Sequence, residues 1–141
     1  MRDLAQGRCE EALVRLDALL RDPSVSASDR AAAANKRGVA LVQLERRQEA
    51  RAAFDGALAI VAEYAPALVN IGSLHFESGE TENAIAYYRR AIAADEQYAL
   101  AHHNLGVAYK RLGRTGDAVR ELRRAHRLEG RGGSTSPNRP T

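Results

Sequence analysis

The amino-acid sequence predicts an all-α solenoid of antiparallel helix pairs, with three full repeats preceded by a half-repeat. Three observations predict it. Alanine and leucine dominate the apolar residues, and both are strong helix formers. Gly38, Gly72 and Gly106 stand 34 residues apart, and four more columns keep that interval: Ala50, Ala84 and Ala118; Ala57, Ala91 and Ala125; Phe54, Tyr88 and Leu122; Leu41, His75 and Tyr109. Glycine also follows the first helix of two units, at Gly79 and Gly113, where a helix closes in the left-handed conformation. Such self-similarity marks stacked units, none of which buries its apolar face alone.

Taken in order, residues 1–30 read as a half-repeat helix and a loop. Gly7, Ala12, Leu16 and Leu19 answer to Glu45, Ala50, Phe54 and Ala57 at an interval of 38, which assigns four extra residues to the loop around 22–26. Only residues 1–6 are left to stand where that unit's first helix belongs. Leu13, Leu16, Leu19 and Leu20 form an apolar stripe that is therefore partly uncovered, and self-association is the cheapest cover.

Repeat 1 spans 31–64, with helices over 31–44 and 48–62. Glu45 takes the slot that glycine fills in the other units, at about 1 kcal/mol if the same backbone is adopted. Repeat 2 spans 65–98, with helices over 65–78 and 81–94. Repeat 3 spans 99–130, with helices over 99–112 and 115–129. Residues 131–141 hold no large apolar side chain and read as a flexible polar tail.

A glycine inside a helix costs roughly 1 kcal/mol relative to alanine. Gly38, Gly72 and Gly106 are therefore expected where a second helix comes close, with Ala50, Ala84 and Ala118 as the complementary small residues. Phe54, Tyr88 and Leu122 then fill the gap between successive units. In the last unit, Glu121 and His126 replace Tyr87 and Ile92, the polar outer face a terminal unit needs.

The segments NIGSLHFESGETENAIAYYRRAIAADEQYA and NLGVAYKRLGRTGDAVRELRRAHRLE resemble the tetratricopeptide repeat. Leu105, Gly106, Tyr109, Gly113, Ala118, Leu122 and Ala125 match the family pattern in sequence. The second unit has His75 in the Tyr slot and Glu96 where the family often has proline. The first has Arg37 in the Leu slot. The resemblance covers about residues 3–130 and implies a right-handed superhelix whose first helices line a concave peptide-binding surface.

Carried over position by position, that surface comprises Asn35, Val39, Val69, Asn70, Ser73, Phe76, His103, Asn104, Val107, Lys110 and Arg111. Asn70 and Asn104 keep the 34-residue interval. An amide both donates and accepts, so such residues can read peptide backbone, as in the asparagine ladder of some protein glycosyltransferases. Asn35 falls one position out of register. The lysine, arginine and asparagine clamp of chaperone-binding members is matched only at Asn70.

The net charge of +3 gathers at the carboxyl end. Arg120, Arg123, Arg124 and Arg127 keep helical spacing and form one stripe, which favours an acidic partner. Nucleic acid ranks lower as a partner because no aromatic accompanies the stripe for base stacking. The single cysteine, Cys9, rules out an internal disulfide and suits a reducing compartment. Asp55 and Glu63 interrupt the most apolar stretch, and no signal-peptide core is present, so the chain reads as cytoplasmic.

His102 and His103 are adjacent on a helix and point about 100° apart. With no carboxylate or cysteine constellation nearby, neither a metal nor a cofactor is expected. No nucleophile elbow or phosphate loop appears. The sequence reads as a non-enzymatic protein-interaction scaffold. It is equally compatible with an adaptor, or with a fragment of a larger enzyme or secretion machine.

Overall fold

The computed structural model describes residues 4–133, all of whose regular structure is helical. The order is α1 (Leu4–Arg21), α2 (Ala27–Gln43), α3 (Arg47–Ile60), α4 (Ala65–Glu77), α5 (Thr81–Ala94), α6 (Ala99–Arg111) and α7 (Thr115–Gly133). Helices α2/α3, α4/α5 and α6/α7 form the antiparallel pairs. Each first helix also touches the next one, α2 with α4 and α4 with α6, whereas α3, α5 and α7 make no contact with one another. The array therefore curves with α2, α4 and α6 on its inner side.

The small columns are explained differently from the sequence expectation. A Cβ on Gly72 would lie 2.7 Å from the Tyr88 ring, and one on Gly106 would lie 2.7 Å from Leu122 Cγ. At Gly38 it would clash with the Cε1 edge of the Phe54 ring. Each glycine thus makes room chiefly for the large side chain of its own unit, and at Gly106 also for the Ala118 carbonyl, 3.2 Å from where a Cβ would lie. Ala50, Ala84 and Ala118 are buried beside this contact, and Phe54 and Tyr88 are fully enclosed.

Glu45 does adopt the glycine backbone, with φ 60°, matching Gly79 at 81° and Gly113 at 75°. Glu63, in the turn between the first two full units, is also left-handed at φ 54°, which the sequence did not flag.

Three boundaries differ from expectation. The four extra residues near 22–26 do not lengthen the loop; they begin α2 a turn early, where Ser26 caps the helix by accepting from the Asp29 N–H at 3.1 Å. Helix α2 consequently has 17 residues against 13 in α4 and α6. Leu4–Gln6 form the first turn of α1 and no part of a separate helix. Helix α7 continues through Gly133, so residues 131–133 of the expected tail are helical, while 134–141 lie outside the described residues.

Candidate binding groove

The inner side carries two depressions. The larger, about 990 Å³, runs between α1 and α2 and includes Ala12, Leu16, Lys36 and Val39. The smaller, about 120 Å³, lies between α4 and α6 and is lined by Ser73, Phe76, Glu77, Tyr88, Asn104 and Val107. Tyr88 spans from the core to its floor, where its hydroxyl shares a 3.2 Å hydrogen bond with Ser73 Oγ. Burial holds the Tyr88 phenol above its ordinary pKa, and the Ser73 bond acts in the opposite direction.

Of the predicted groove residues, Val39 lines the larger depression and Ser73, Phe76, Asn104 and Val107 line the smaller. Val39 and Val107 are exposed at 38% and 36%, high for valine and available to an apolar partner. Lys110, Arg111 and His103 are exposed, and Asn35, Asn70, Ser73, Phe76 and Asn104 are half-buried. Arg111 lies over the Phe76 ring, 3.5 Å from its centroid, and donates to the Phe76 carbonyl at 2.7 Å. This pair fixes both the cation and the ring at one wall.

Val69 is a correction. It is 1% exposed and packs in the core with Leu68, Ala101 and Leu105. The reason is its column: residues 35, 69 and 103 face the next first helix along the array. Helix α6 covers Val69, whereas no further first helix stands beyond α6 among the described residues, so His103 in the same column is exposed.

The column also explains Asn35, which seemed out of register. It accepts from Asn70 Nδ2 at 2.8 Å across the α2–α4 seam. Each amide keeps hydrogen-bonding capacity for a ligand, since an amide offers two donors and two lone pairs.

Sequence reasoning missed the His102–Glu121 pair. His102 is 6% exposed, and its Nδ1 lies 2.7 Å from Glu121 Oε2, while Nε2 meets the Glu96 carbonyl at 2.9 Å. Glu121 thus braces the base of α6 and does not form the polar outer face assigned to it. The outer face of α7 instead presents Val119, Leu122 and His126 between Arg123 and Arg127. Arg120, Arg123 and Arg127 are exposed and Arg124 is half-buried, with Arg120 drawn to Asp117 at 3.4 Å.

Sequence profiles described as TPR repeat or tetratricopeptide repeat match residues 2–65, 72–113 and 99–129. The chain belongs to the tetratricopeptide repeat family. Solved structures of this shape include the protein MamA, 25% identical over 91% of this chain and 72% of that one, with a TM-score of 0.71. BtubC from P. vanneervenii is 21% identical over 96% of this chain and 62% of its own, also with a TM-score of 0.71. The second TPR of Spaghetti (RPAP3), bound to the HSP90 peptide SRMEEVD, is 20% identical over 70% of this chain and 91% of that one, at a TM-score of 0.64. No curated protein matches the chain. Among the described residues no helix is long and apolar enough to cross a membrane, and no cluster of three metal-ligating side chains forms. A tetratricopeptide array is a protein-interaction scaffold, and the groove is its inner surface.

Proposed function

We propose that the inner groove holds an extended polypeptide segment reversibly, and that the chain acts as a scaffold without catalysis of its own. The carrying observation is the surface of α4 and α6. Phe76 and Val107 offer an apolar wall, Asn70 and Asn104 offer amides, and Lys110 and Arg111 offer positive charge on one curved face. Apolar pockets fix side chains while amides satisfy main-chain groups, the division of labour peptide grooves use. The cations favour a segment carrying Asp or Glu. A structurally similar domain holds SRMEEVD, which has three acidic residues, and this supports the reading by shape alone.

Affinity capture with mass spectrometry tests it, comparing the native chain with the Asn70→Ala/Asn104→Ala variant, followed by titration of the recovered peptides. Loss of one neutral hydrogen bond should weaken binding by about 0.5–1.5 kcal/mol, and Val107→Asp should abolish an apolar contact. Undiminished affinity of both variants for every recovered partner would remove the groove from consideration.

A further inference from the structure

The depression between α4 and α6 gathers hydrogen-bond donors between apolar walls. On its floor the Ser73 and Tyr88 hydroxyls share one 3.2 Å hydrogen bond, so one hydroxyl hydrogen is left to donate. Asn104 stands beside them half-buried, and its amide has no hydrogen-bond partner among the described residues. Phe76 and Val107 form the walls, and the Arg111 guanidinium lies over the Phe76 ring.

Two charges stand near this pocket, and only one is open to a ligand. Glu77 accepts from Arg47 Nη1 at 2.7 Å, so its charge is already matched. Arg111 meets no carboxylate among the described residues. Its Nη1 donates to the Phe76 carbonyl, and the ring covers one face of its plane. That leaves the Nε–Nη2 edge, whose two parallel N–H groups match the two oxygens of a carboxylate. Burial dominates the Tyr88 pKa, but Glu77 and Arg111 also act on it, in opposite senses, which puts both charges within reach of the floor. Lys110 is exposed as well, but no described group fixes its ammonium, and a cation held in place beforehand loses less freedom on binding.

We propose that this pocket takes one carboxylate side chain of the bound segment, with Phe76 and Val107 covering its methylene groups while Arg111, Asn104 and a floor hydroxyl bind its oxygens. The proposal rests on the peptide groove and narrows it, from general attraction of acidic segments to selection of one acidic residue at one place. A carboxylate only accepts hydrogen bonds, and each of these groups can donate. A carboxamide of the same shape carries one acceptor in place of two, and its nitrogen gains nothing from the Arg111 charge.

Nuclear magnetic resonance titration of the full chain tests it with two probes, N-acetyl-glutamate N-methylamide and its glutamine counterpart. The glutamate probe should move the amide signals of Ser73, Asn104 and Val107 and the Nε–H signal of Arg111. It should bind about fivefold tighter than the glutamine probe. Arg111→Gln should erase that preference, while Lys110→Gln, which removes the same charge from the neighbouring position, should keep it. Equal binding of the two probes, no shifts at the pocket up to the solubility limit of the glutamate probe, or equal losses from the two variants would each overturn the proposal. The groove can fail separately. Partners that depend on Asn70 and Asn104 yet tolerate amides in place of every acidic residue would keep the groove and remove the pocket. Glutamate bound at the pocket, with no polypeptide partner recovered, would support the pocket and remove the groove.

Discussion

Single residues in this protein are legible through the volume beside them. Gly72 and Gly106 occupy one slot, yet their neighbours differ in freedom. Tyr88 is 2% exposed and hydrogen-bonded to Ser73, whereas Leu122 is half-buried. Gly72→Ala should therefore destabilise by about 1–3 kcal/mol, the usual overpacking cost. Gly106→Ala should cost less, because the Leu122 side chain can turn aside and alanine recovers up to about 1 kcal/mol of helix propensity, while the Ala118 carbonyl 3.2 Å from the new Cβ must still give way. Thermal melts of the two variants check this; equal losses would show that the slot, and not its neighbour, sets the cost. At Glu45, left-handed at φ 60°, the strain is in the backbone. Glu45→Gly should raise stability by about 0.5–1 kcal/mol, the left-handed penalty less the added freedom of the unfolded chain. Denaturant titration reads it directly.

At the scale of helices, polar clasps complement the apolar packing between units. Arg51 donates from α3 to the Tyr87 hydroxyl at 3.0 Å. Arg47 reaches Glu77 at 2.7 Å and the Leu74 carbonyl at 2.8 Å. The last pair is held differently, by the enclosed His102–Glu121 contact. Glu121→Ala leaves a buried ring nitrogen without its partner, so we expect a loss of about 1–3 kcal/mol. The base of α6 should then exchange amide hydrogens faster than the base of α4. Hydrogen exchange that rises equally in both helices would deny the contact its local role. That pair could not have been found from periodicity, because Tyr87 and Glu121 share a column but not a function: Tyr87 stacks on His75, while Glu121 turns to its own unit's first helix.

For the molecule as a whole, alkaline pH is the sensitive direction. Burial raises the pKa of Tyr88 and of Tyr98 above the ordinary 10.0. The unfolded chain then releases these protons first. Stability is retained in full below about pH 10 and falls as pH rises through the folded values. Melting temperature against pH should bend downward above pH 10, and Tyr88→Phe should flatten part of the bend at the cost of the Ser73 bond. A melting temperature level to pH 11.5 would contradict the burial reading. At neutral pH the exposed arginines of α7 should give weak, salt-sensitive attraction to polyanions; tight nucleic-acid binding at physiological salt, lost on changing Arg120, Arg123, Arg124 and Arg127 to glutamine, would rank that partner above a peptide.

The sequence by itself determined the repeat, its helix pairs and the family. A 34-residue period writes the same contacts three times, so columns such as Gly38, Gly72 and Gly106 stand out against a varying background. It also grouped Ser73, Phe76, Asn104 and Val107, which line one depression between α4 and α6, because a helix keeps one side toward its neighbour at fixed spacing. Tertiary structure alone decided what depends on position in the array. Val69 is core and His103 surface in one column, because α6 covers the first and no described helix covers the second. Asn35 meets Asn70 across a seam that links residues of different columns, and the four inserted residues joined α2 because Ser26 caps it there. Periodicity averages over equivalent positions; only the folded chain shows where the ends make them unequal.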